Sequence, residues 1–539
     1  MGVAESIKGI FQKDIPAKFS VKNPVNQTEY LINGEIRQWK GPQKVIYSPV
    51  CFETADGAVP REIGSIPLMD ESAALEALEF AVAAYNHGKG EWPCLKVEER
   101  LRCLEQFTIR MKERRDEIVN LLMWEIGKTY SDSCKEFDRT VEYILATMNA
   151  VREMDHAASK LTIEEGIIGQ IRRSPLGVVL CMGPFNYPLN ETFTTLIPAL
   201  IMGNTVVFKP AKHGVLFVRQ LLEAFRDSFP AGVVNTVYGE GKQVAGPLMA
   251  TGKVDVLAFI GTSRVADTLK KQHPSPHRLR CILGLDAKNP GIVLENADLE
   301  LSVKECLLGA LSFNGQRCTA IKIVFVHRSL SDRFLSRFSE EIAKLVPGLP
   351  WEENVALTPL PEPGKPEYLT ELIRDAVSLG ARVVNQCGGT VNQTFFYPAV
   401  LYPVNHKMRI YSEEQFGPLI PVVPFDDLET PGKYIVESNF GQQVSIFGSD
   451  PGQVAGLVDL LTNQVSRVNL NCQCQRGPDS FPFTGRKDSA EGTLSVTDAL
   501  RVFSIRSLVA AKSTDQNKNL INTILKERKS NFLSTDFIL

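Results

Sequence analysis

Residues 313–320 have the sequence Phe-Asn-Gly-Gln-Arg-Cys-Thr-Ala and centre on one cysteine, Cys318. A glycine turn precedes this cysteine, and a cation, Arg317, is its neighbour. Such surroundings expose a thiol and favour the thiolate, which is the nucleophilic form. A thiolate that attacks an aldehyde carbon gives a thiohemiacetal, which can lose hydride to a nicotinamide. The alternative is that Cys318 is one more buried thiol among the 11 cysteines of the chain.

Two other segments contain residue types that suit the same chemistry. Residues 183–190, Gly-Pro-Phe-Asn-Tyr-Pro-Leu-Asn, follow an apolar run and precede a helix-like run. An asparagine at such a junction, here Asn186, can aim its amide at a developing oxyanion. Residues 413–418, Glu-Glu-Gln-Phe-Gly-Pro, place the Glu414 carboxylate and the Phe416 ring before another apolar run. Taken singly, each segment is weak evidence, because an asparagine at a turn usually serves only turn chemistry.

In this order and spacing, the three segments resemble the aldehyde dehydrogenase superfamily, over about residues 30–511. The resemblance implies an α/β fold with two open parallel-sheet domains and a small β oligomerisation arm, in a homodimer or homotetramer. It implies that Cys318 is the nucleophile and Asn186 the oxyanion donor. The implied bounds are 1–160 and 174–288 for a discontinuous cofactor-binding domain with an N-terminal extension, 289–494 for the catalytic domain, 161–173 and 495–511 for the arm, and 512–539 for a C-terminal extension.

The hydrophobic pattern independently predicts open parallel sheets. Compact apolar runs rich in Val and Ile alternate with helix-like segments from Pro175 onward, and ligands of such sheets bind at the carboxyl ends of the strands. Residues 71–158 are predicted to be helical. Strands are predicted at 177–181, 205–208, 233–238, 255–259, 292–294, 321–327, 382–385 and 445–447, with one more at 495–511 pairing with 161–173.

Composition and charge exclude several classes of protein. Hydrophobic residues make up 44% of the chain, charged residues 22%, and the net charge is −3, which suits a globular protein without affinity for nucleic acid. No apolar run reaches 18 residues, so no membrane span is expected. The cysteines form no paired framework and no metal motif, and the N-terminus has no signal peptide. A cytoplasmic location and no bound metal are therefore predicted.

Cofactor-binding residues are expected in several loops, although the chain lacks a G-x-G-x-x-G fingerprint. Gly241 closes a lone G-x-G motif, and the resemblance adds a phosphate-binding turn, with small residues against a helix N-terminus. It implies that a lysine binds the adenosine ribose, and that Glu414 and Phe416 bind the second ribose and the nicotinamide. Lys212 stands where NAD-preferring relatives often have Glu, so we predict NADP, with NAD possible. The remaining residues of this set are Lys209, Gly261 and Thr262.

The predicted substrate is a phosphorylated aldehyde. The chain is similar to one branch of the superfamily, the non-phosphorylating glyceraldehyde-3-phosphate dehydrogenases, at Arg139, Tyr187, Arg317 and Arg476. Guanidinium groups bind phosphate in a bidentate manner, and Arg317 is also expected to lower the pKa of the Cys318 thiol. The resemblance implies oxidation of glyceraldehyde 3-phosphate to 3-phosphoglycerate. Arginines also bind carboxylates, so a dehydrogenase of a semialdehyde is an alternative.

The chain departs from the superfamily at the glutamate that activates water for thioester hydrolysis. Aligned on Lys288, that position is Gly284, within the sequence Leu-Gly-Leu-Asp-Ala-Lys. Asp286 is our first choice for the base, and Glu414 is the second. Without a base, the acyl group passes to another acceptor, such as coenzyme A or phosphate, because loss of general-base catalysis slows hydrolysis by about 10²–10⁴-fold. A catalytically silent binding or assembly protein is the alternative from a different class.

The last 27 residues, from Ser513, extend beyond the usual length of the superfamily. They contain an apolar stripe inside a polar run: Leu520, Ile521, Ile524 and Leu525. This spacing predicts a helix that packs on its own subunit or a neighbouring one. A mobile tail is the alternative.

Overall fold

The computed structural model describes residues 2–12, 14–20, 24–54 and 57–535. The helices in these residues are α1 Val3–Lys8, α2 Glu71–Tyr85, α3 Glu91–Cys94, α4 Val97–Glu113, α5 Arg115–Ile126, α6 Tyr130–Ala158, α7 Asn190–Ile201, α8 Leu222–Ser228, α9 Gly241–Ala250, α10 Ser263–Gln272, α11 Leu299–Leu311, α12 Arg328–Ala343, α13 Lys365–Ser378, α14 Arg409–Ser412, α15 Glu429–Glu437, α16 Pro451–Leu461, α17 Val496–Val502 and α18 Asp515–Lys526. Short 3₁₀ segments lie at Ala17–Phe19, Asn86–Gly88, Leu216–Leu221 and Ser312–Gly315.

The strands are mostly short, as expected for sheets built from βαβ units. They are β1 Val25–Asn26, β2 Glu29–Ile32, β3 Glu35–Gln38, β4 Gln43–Thr54, β5 Gly57–Pro67, β6 Thr162–Glu164, β7 Ile167–Pro175, β8 Val178–Met182, β9 Thr205–Lys209, β10 Val234–Thr236, β11 Val256–Ile260, β12 Arg280–Gly284, β13 Asn289–Val293, β14 Ile321–His327, β15 Val346–Pro347, β16 Val355–Leu357, β17 Arg382–Val383, β18 Val391–Asn392, β19 Phe395–Phe396, β20 Ala399–Tyr402, β21 Leu419–Phe425, β22 Phe440–Gly441, β23 Gln443–Phe447, β24 Arg467–Leu470, β25 Arg486–Lys487, β26 Ala490–Glu491 and β27 Ser504–Lys512.

The first large sheet has the strand order β10-β9-β8-β11-β12-β26. Its first five strands are parallel, and β26 closes the edge in the antiparallel direction. All residues of β8 and β9 are buried, because helices cover both faces of a parallel sheet. The predicted α/β class with parallel strands is therefore confirmed.

The second large sheet has the order β17-β20-β21-β14-β13-β23-β24. Its strands are parallel except for the pair β17 and β20 at one edge. The chain enters β14 immediately after the Cys318 segment, and it enters β21 immediately after the Glu414 segment. These two strands are neighbours in the sheet, with Val324 opposite Val422. The sheet order therefore brings two segments that are far apart in sequence to the same edge.

The predicted pairing of 161–173 with 495–511 is present, with one correction to the second segment. β27 pairs with β7 along its whole length, and β6 extends this three-stranded sheet. The prediction of one strand over 495–511 is wrong at its start, because Val496–Val502 forms a helix. Val496, Ala499, Leu500 and Phe503 recur at helical spacing and are all buried. The oligomeric state and the domain bounds stay predictions.

The C-terminal extension forms the predicted helix, α18, and then continues as an irregular tail. Only one residue of the predicted apolar stripe, Ile521, is buried, whereas Leu520 is exposed. The tail is held to the body by the Asn531 amide, which donates to the Cys94 carbonyl at 2.8 Å. Across the described ranges, no helix has the length and apolar character needed to cross a membrane.

Candidate active site

A cleft of about 520 Å³ opens at the carboxyl ends of the strands of the six-stranded sheet. Its wall contains the residues that follow β8, β9, β11 and β12, together with the segments before β14 and β21. All ten predicted catalytic and cofactor-binding residues line it: Asn186, Lys209, Lys212, Gly241, Gly261, Thr262, Asp286, Cys318, Glu414 and Phe416. The structure thus brings these residues together, while their individual roles stay predictions.

The turn before Cys318 is held in a conformation that favours glycine. Phe313, Asn314 and Gly315 have φ angles of 49°, 53° and 70°. A side chain on Gly315 would lie 2.7 Å from the Ala310 carbonyl oxygen, so only glycine fits there. The Asn314 amide donates to the Thr358 carbonyl at 3.0 Å. This anchored turn fixes the backbone that presents the thiol.

The electrostatics of the thiol correct one expectation. The pKa of Cys318 is raised, first by burial and then by the charge of Glu191, while Lys322 and Arg476 act in the opposite direction. Arg317 is not among the main charges that act on this thiol. Its guanidinium instead donates to the carbonyls of Leu308 and Gly309, at 3.1 and 2.8 Å. The residue next to the cysteine in sequence therefore caps the end of α11, and Lys322 and Arg476 are the cations that favour the thiolate.

Asn186 is fixed on both sides. Its Nδ2 donates to the Gln316 carbonyl at 2.8 Å, which ties it to the cysteine turn, and its own carbonyl accepts from Lys128 Nζ at 2.8 Å. Lys128 and Glu136 form an ion pair that is fully shielded from solvent. Glu136 also accepts from the backbone N–H groups of Leu189 and Asn190. This buried pair sets the position of the loop that contains Asn186.

One end of the cleft is basic. Lys44 pairs with Glu240 at 2.9 Å, and the pKa of Glu240 is lowered mainly by that hydrogen bond, with smaller effects of Lys212 and Lys209. Burial lowers the pKa of Lys209 to about 8. Burial also lowers the pKa of His213 to about 4, and the charges of Lys212 and Lys44 act in the same direction. Lys212 itself is exposed, so an anion can reach it from solvent.

The predicted phosphate-binding turn starts α10. Thr262 is the N-cap residue, and its side chain accepts from the Val265 N–H. The Asp286 carboxylate lies at the same helix end and accepts from both the backbone N–H and the hydroxyl of Ser263, each at 2.7 Å. The Asp286 carboxylate is thus bound at the N-terminus of α10. The residue predicted to be the base is held in place by the cofactor turn.

Glu414 and Phe416 lie at the wall opposite the sheet ends. Glu414 pairs with Lys322 at 2.8 Å, yet burial dominates and raises the pKa of this carboxyl. Lys322 also donates to the Cys318 carbonyl at 2.9 Å, so one lysine links both segments. The Phe416 ring contacts the Phe185 ring edge-on, with centroids 5.8 Å apart.

The four predicted substrate residues are engaged by the protein itself. Arg476 is buried and pairs with Glu191 and with Asp479, the latter at 3.1 Å. Burial opposes the charge of Arg476, but these carboxylates outweigh it and raise its pKa. Arg139 also binds Asp479, at 2.9 and 3.2 Å. Among the described residues that line the cleft, none of the four predicted substrate residues, Arg139, Tyr187, Arg317 and Arg476, is present.

Tyr187 contacts other residues of the protein and does not line the cleft. Its half-buried ring lies against the Lys128 ammonium, which is 3.6 Å from the ring centroid. Burial raises the pKa of its hydroxyl, so the phenol stays protonated. Substrate binding by Tyr187, Arg139, Arg317 and Arg476 stays a prediction.

Sequence reasoning missed several residues of the site. Glu191 lines the cleft and its charge acts on the Cys318 thiol, and Lys128, Glu136 and Lys322 fix the backbone around it. A signal was present for Glu191, since it is a charged residue inside the otherwise uncharged run 189–201. The same signal marks Lys322, the one charged residue in the apolar run 320–326, although its partner Glu414 is distant in sequence.

Comparison with known proteins gives a consistent result. Residues 49–508 match the sequence profile described as the aldehyde dehydrogenase family. An NADP-dependent glyceraldehyde-3-phosphate dehydrogenase of Streptococcus equinus is 32% identical over 493 residues, which cover 90% of this chain and 98% of the relative. A malonate-semialdehyde dehydrogenase of Bacillus cereus is 29% identical over 84% of this chain and 93% of its own length. The crystal structure of NADP-dependent glyceraldehyde-3-phosphate dehydrogenase from Bacillus halodurans C-125, complexed with NADP, superposes with a TM-score of 0.82 at 30% identity, covering 90% and 99% of the two chains.

Proposed function

Because the chain belongs to the aldehyde dehydrogenase family, whose members are oxidoreductases that act on aldehydes, we propose that it oxidises an aldehyde with NADP through Cys318. The most specific form of the proposal is oxidation of glyceraldehyde 3-phosphate to 3-phosphoglycerate. The observation that carries the proposal is the convergence of the Cys318 thiol, the Asn186 amide and the basic cofactor end in one cleft.

The Cys318 thiol loses its proton to solvent in the cleft, and its sulfur then adds to the aldehyde carbon. Asn186 Nδ2 has two N–H donors, and one of them is used on the Gln316 carbonyl. The second donor, with the Cys318 backbone N–H, stabilises the oxyanion that forms. Because burial raises the pKa of the thiol, Lys322 and Arg476 are the charges that favour the thiolate as the sulfur reacts.

The residues of the cleft fit a phosphorylated dinucleotide. When bound, NADP supplies the hydride acceptor. Lys209 and Lys212 are proposed to hold the adenosine ribose and its 2′-phosphate, Glu414 the second ribose, and Phe416 the nicotinamide face. Beside Gly241 no atom lies within 4 Å of the position that a Cβ would take, so this residue leaves room for a ligand. The names of the relatives, which describe NADP-dependent enzymes, also support this cofactor.

Asp286 is proposed to be the base that activates water for thioester hydrolysis. In the present arrangement its carboxylate is bound to Ser263 at the start of α10. A cofactor phosphate at the same turn would repel the carboxylate and favour its release into the cleft. The charge of Asp286 already reaches the Glu414 carboxyl, whose pKa it raises, which shows that the two carboxyl groups share one electrostatic environment. Glu414 is the weaker candidate, because Lys322 holds it.

A phosphate on the substrate is proposed to bind Arg476 and Arg139. These guanidinium groups share Asp479, so phosphate would have to replace this carboxylate on at least one of them. Support comes from the name of the Streptococcus equinus relative, which describes a dehydrogenase of glyceraldehyde 3-phosphate.

A second candidate is a dehydrogenase that passes its acyl group to coenzyme A. The observation that favours it is Gly284, which lines the cleft at the end of β12. A Cβ at this position would be in ordinary contact with Ile260 and Leu494, at 3.4 and 3.7 Å. The structure therefore has room for a larger side chain there, and the acid that would activate water is absent from that position.

The test follows NADP reduction by the purified protein with glyceraldehyde 3-phosphate, in buffer free of phosphate and coenzyme A. Sustained turnover with 3-phosphoglycerate as product is expected, and unphosphorylated glyceraldehyde serves as the matched substrate. Equal kcat/KM for the two aldehydes would contradict the phosphate assignment. A burst that stops after one turnover and resumes with coenzyme A would favour the second candidate.

A further inference from the structure

A second cavity, of about 440 Å³, lies between the C-terminal tail and the start of α4. We call it the tail cavity. Its lining contains residues 529–532 and 534 of the tail and residues 93–98 of the body. Arg172 donates to the Ser534 hydroxyl at 2.9 Å, and Gln170 donates to the Ser534 carbonyl at 2.8 Å. The tail is therefore attached on both sides of the cavity, and no residue of the active-site cleft takes part.

Basic side chains predominate in the lining of the tail cavity. Two carboxylates are present, Glu98 and Asp155, and Asp155 is already paired with Arg172 at 3.0 Å. The five basic residues are Lys96, Arg100, Arg172, Arg173 and Lys529. Counted over these described residues, the charge of the lining is positive by three, and Lys529 also pairs with Glu527 at 2.5 Å. A concave site with this excess attracts a small anion.

Arg100 is the strongest indication of a ligand. Its side chain is 95% buried, since only 5% of the residue is exposed, and its Nε and Nη1 have no hydrogen-bond partner. Burial lowers its pKa to about 10, and the charges of Asp155 and Glu98 only partly oppose this effect. A buried guanidinium without a paired anion is costly, because its N–H groups have lost water without gaining acceptors. Its neighbour Asp155 forms its ion pair with Arg172.

The start of α4 adds backbone donors to the same cavity. Val97 and Glu98 are the first two residues of this helix of 17 residues, and both line the cavity. The first N–H groups of a helix have no partner within the helix, and the helix dipole makes this end positive. Helix N-termini bind phosphate for this reason. A guanidinium and a helix N-terminus thus face one cavity.

We propose that the tail cavity binds a small phosphate monoester, with Arg100 and the N-terminus of α4 holding the phosphate and Lys529 contacting it from the tail. A dianion matches the positive lining better than a single carboxylate does. The volume lies within the range of small-molecule sites. This site is separate from the aldehyde chemistry, so it stands or falls independently of the proposed function.

The test is calorimetric titration of the full chain with mannitol 1-phosphate. This probe has no carbonyl group and so is not oxidised, and mannitol is the phosphate-free match. We expect mannitol 1-phosphate to bind and mannitol not to bind. Arg100→Met is expected to weaken binding by about tenfold or more, because it removes a buried cation and its charge-assisted hydrogen bond. Arg102→Met, on an exposed position of the same helix, is the matched control and is expected to bind like the wild type.

Lys529→Gln keeps the proposal testable if Arg100→Met fails to fold, because Lys529 is exposed. It is expected to weaken binding by about threefold. Three results would overturn the proposal: no binding of the phosphorylated probe by the wild type, the same affinity in the Arg102→Met control and in both other variants, or equally tight binding of succinate, which would identify a carboxylate site.

Discussion

Lys212 is the residue through which the choice of cofactor is best tested, and the perturbation is Lys212→Glu. The exposed ammonium lies at the basic end of the cleft, where its charge acts on Glu240 and His213. Glu at this position reverses the sign of the charge that would face the 2′-phosphate. We therefore expect NADP binding to weaken and NAD binding to change little.

The magnitude follows from Coulomb's law in solvent. Two unit charges about 4 Å apart interact by about 1 kcal/mol in water. A phosphate charge of about −1.5 to −2 and a change of two charge units give about 3–4 kcal/mol before screening. Screening over a Debye length of about 8 Å reduces this to about 2 kcal/mol, which is about a 30-fold loss of affinity for NADP. Lys212→Met removes the attraction without adding repulsion, so about 1 kcal/mol, or about fivefold, is expected.

The assay is the steady-state KM for NADP and for NAD, supported by the binding affinity of each oxidised cofactor. Lys271→Glu makes the same change of net charge on the exposed surface of α10 and serves as the control. The reasoning would be refuted if Lys212→Glu weakened both cofactors equally, or if it left the affinity for NADP unchanged.

The remaining predictions concern buried charges. Burial raises the pKa of Glu125 from 4.5 to about 7, so the folded state holds a proton that the unfolded state releases. The free energy of unfolding should therefore fall by on the order of 3 kcal/mol as pH rises through this interval. Glu125→Gln should flatten the dependence of Tm on pH between about pH 5 and about pH 8, and an unchanged slope would contradict this. Lys128→Met should cost about 3 kcal/mol in denaturant unfolding, because it leaves a buried carboxylate unpaired, whereas Lys135→Met, at an exposed pair, should cost less than about 1 kcal/mol. Glu191→Gln should lower the pKa of the Cys318 thiol and speed its alkylation at neutral pH, since the Glu191 charge raises that pKa; slower alkylation would show that the pair with Arg476 matters more.

The parallel sheets could be predicted because local sequence determines them. β8 and β9 are short runs of apolar residues that are buried on both faces, and their flanking turns contain Gly and Pro. The ten residues of the cleft were predicted mainly from the resemblance to the aldehyde dehydrogenases, and they meet in one cleft because parallel strands end at one edge. Helix α17 was missed, since its seven residues are short enough to resemble a strand and only their packing shows the helical period.

Contacts between distant segments could not be predicted in this way. The sequence places Arg317 beside Cys318, but in the fold its guanidinium reaches the end of α11. Lys322 lies four residues beyond the cysteine, yet it links this segment to Glu414. Arg476 likewise pairs with Glu191 of α7, although the two residues are 285 positions apart in the sequence. The effect of a buried charge depends on the groups with which it pairs in the fold, and the spacing of residues in the sequence does not reveal these partners.

The most direct test of the central claim is a single-turnover measurement of NADP reduction with enzyme in excess over aldehyde, comparing the wild type with Cys318→Ser. The control is Cys94→Ser, at an exposed cysteine outside the active-site cleft. We predict that the wild type and the control form NADPH in proportion to the aldehyde, and that Cys318→Ser forms none, because no thiohemiacetal is available to give up hydride. Undiminished reduction by Cys318→Ser would contradict the account.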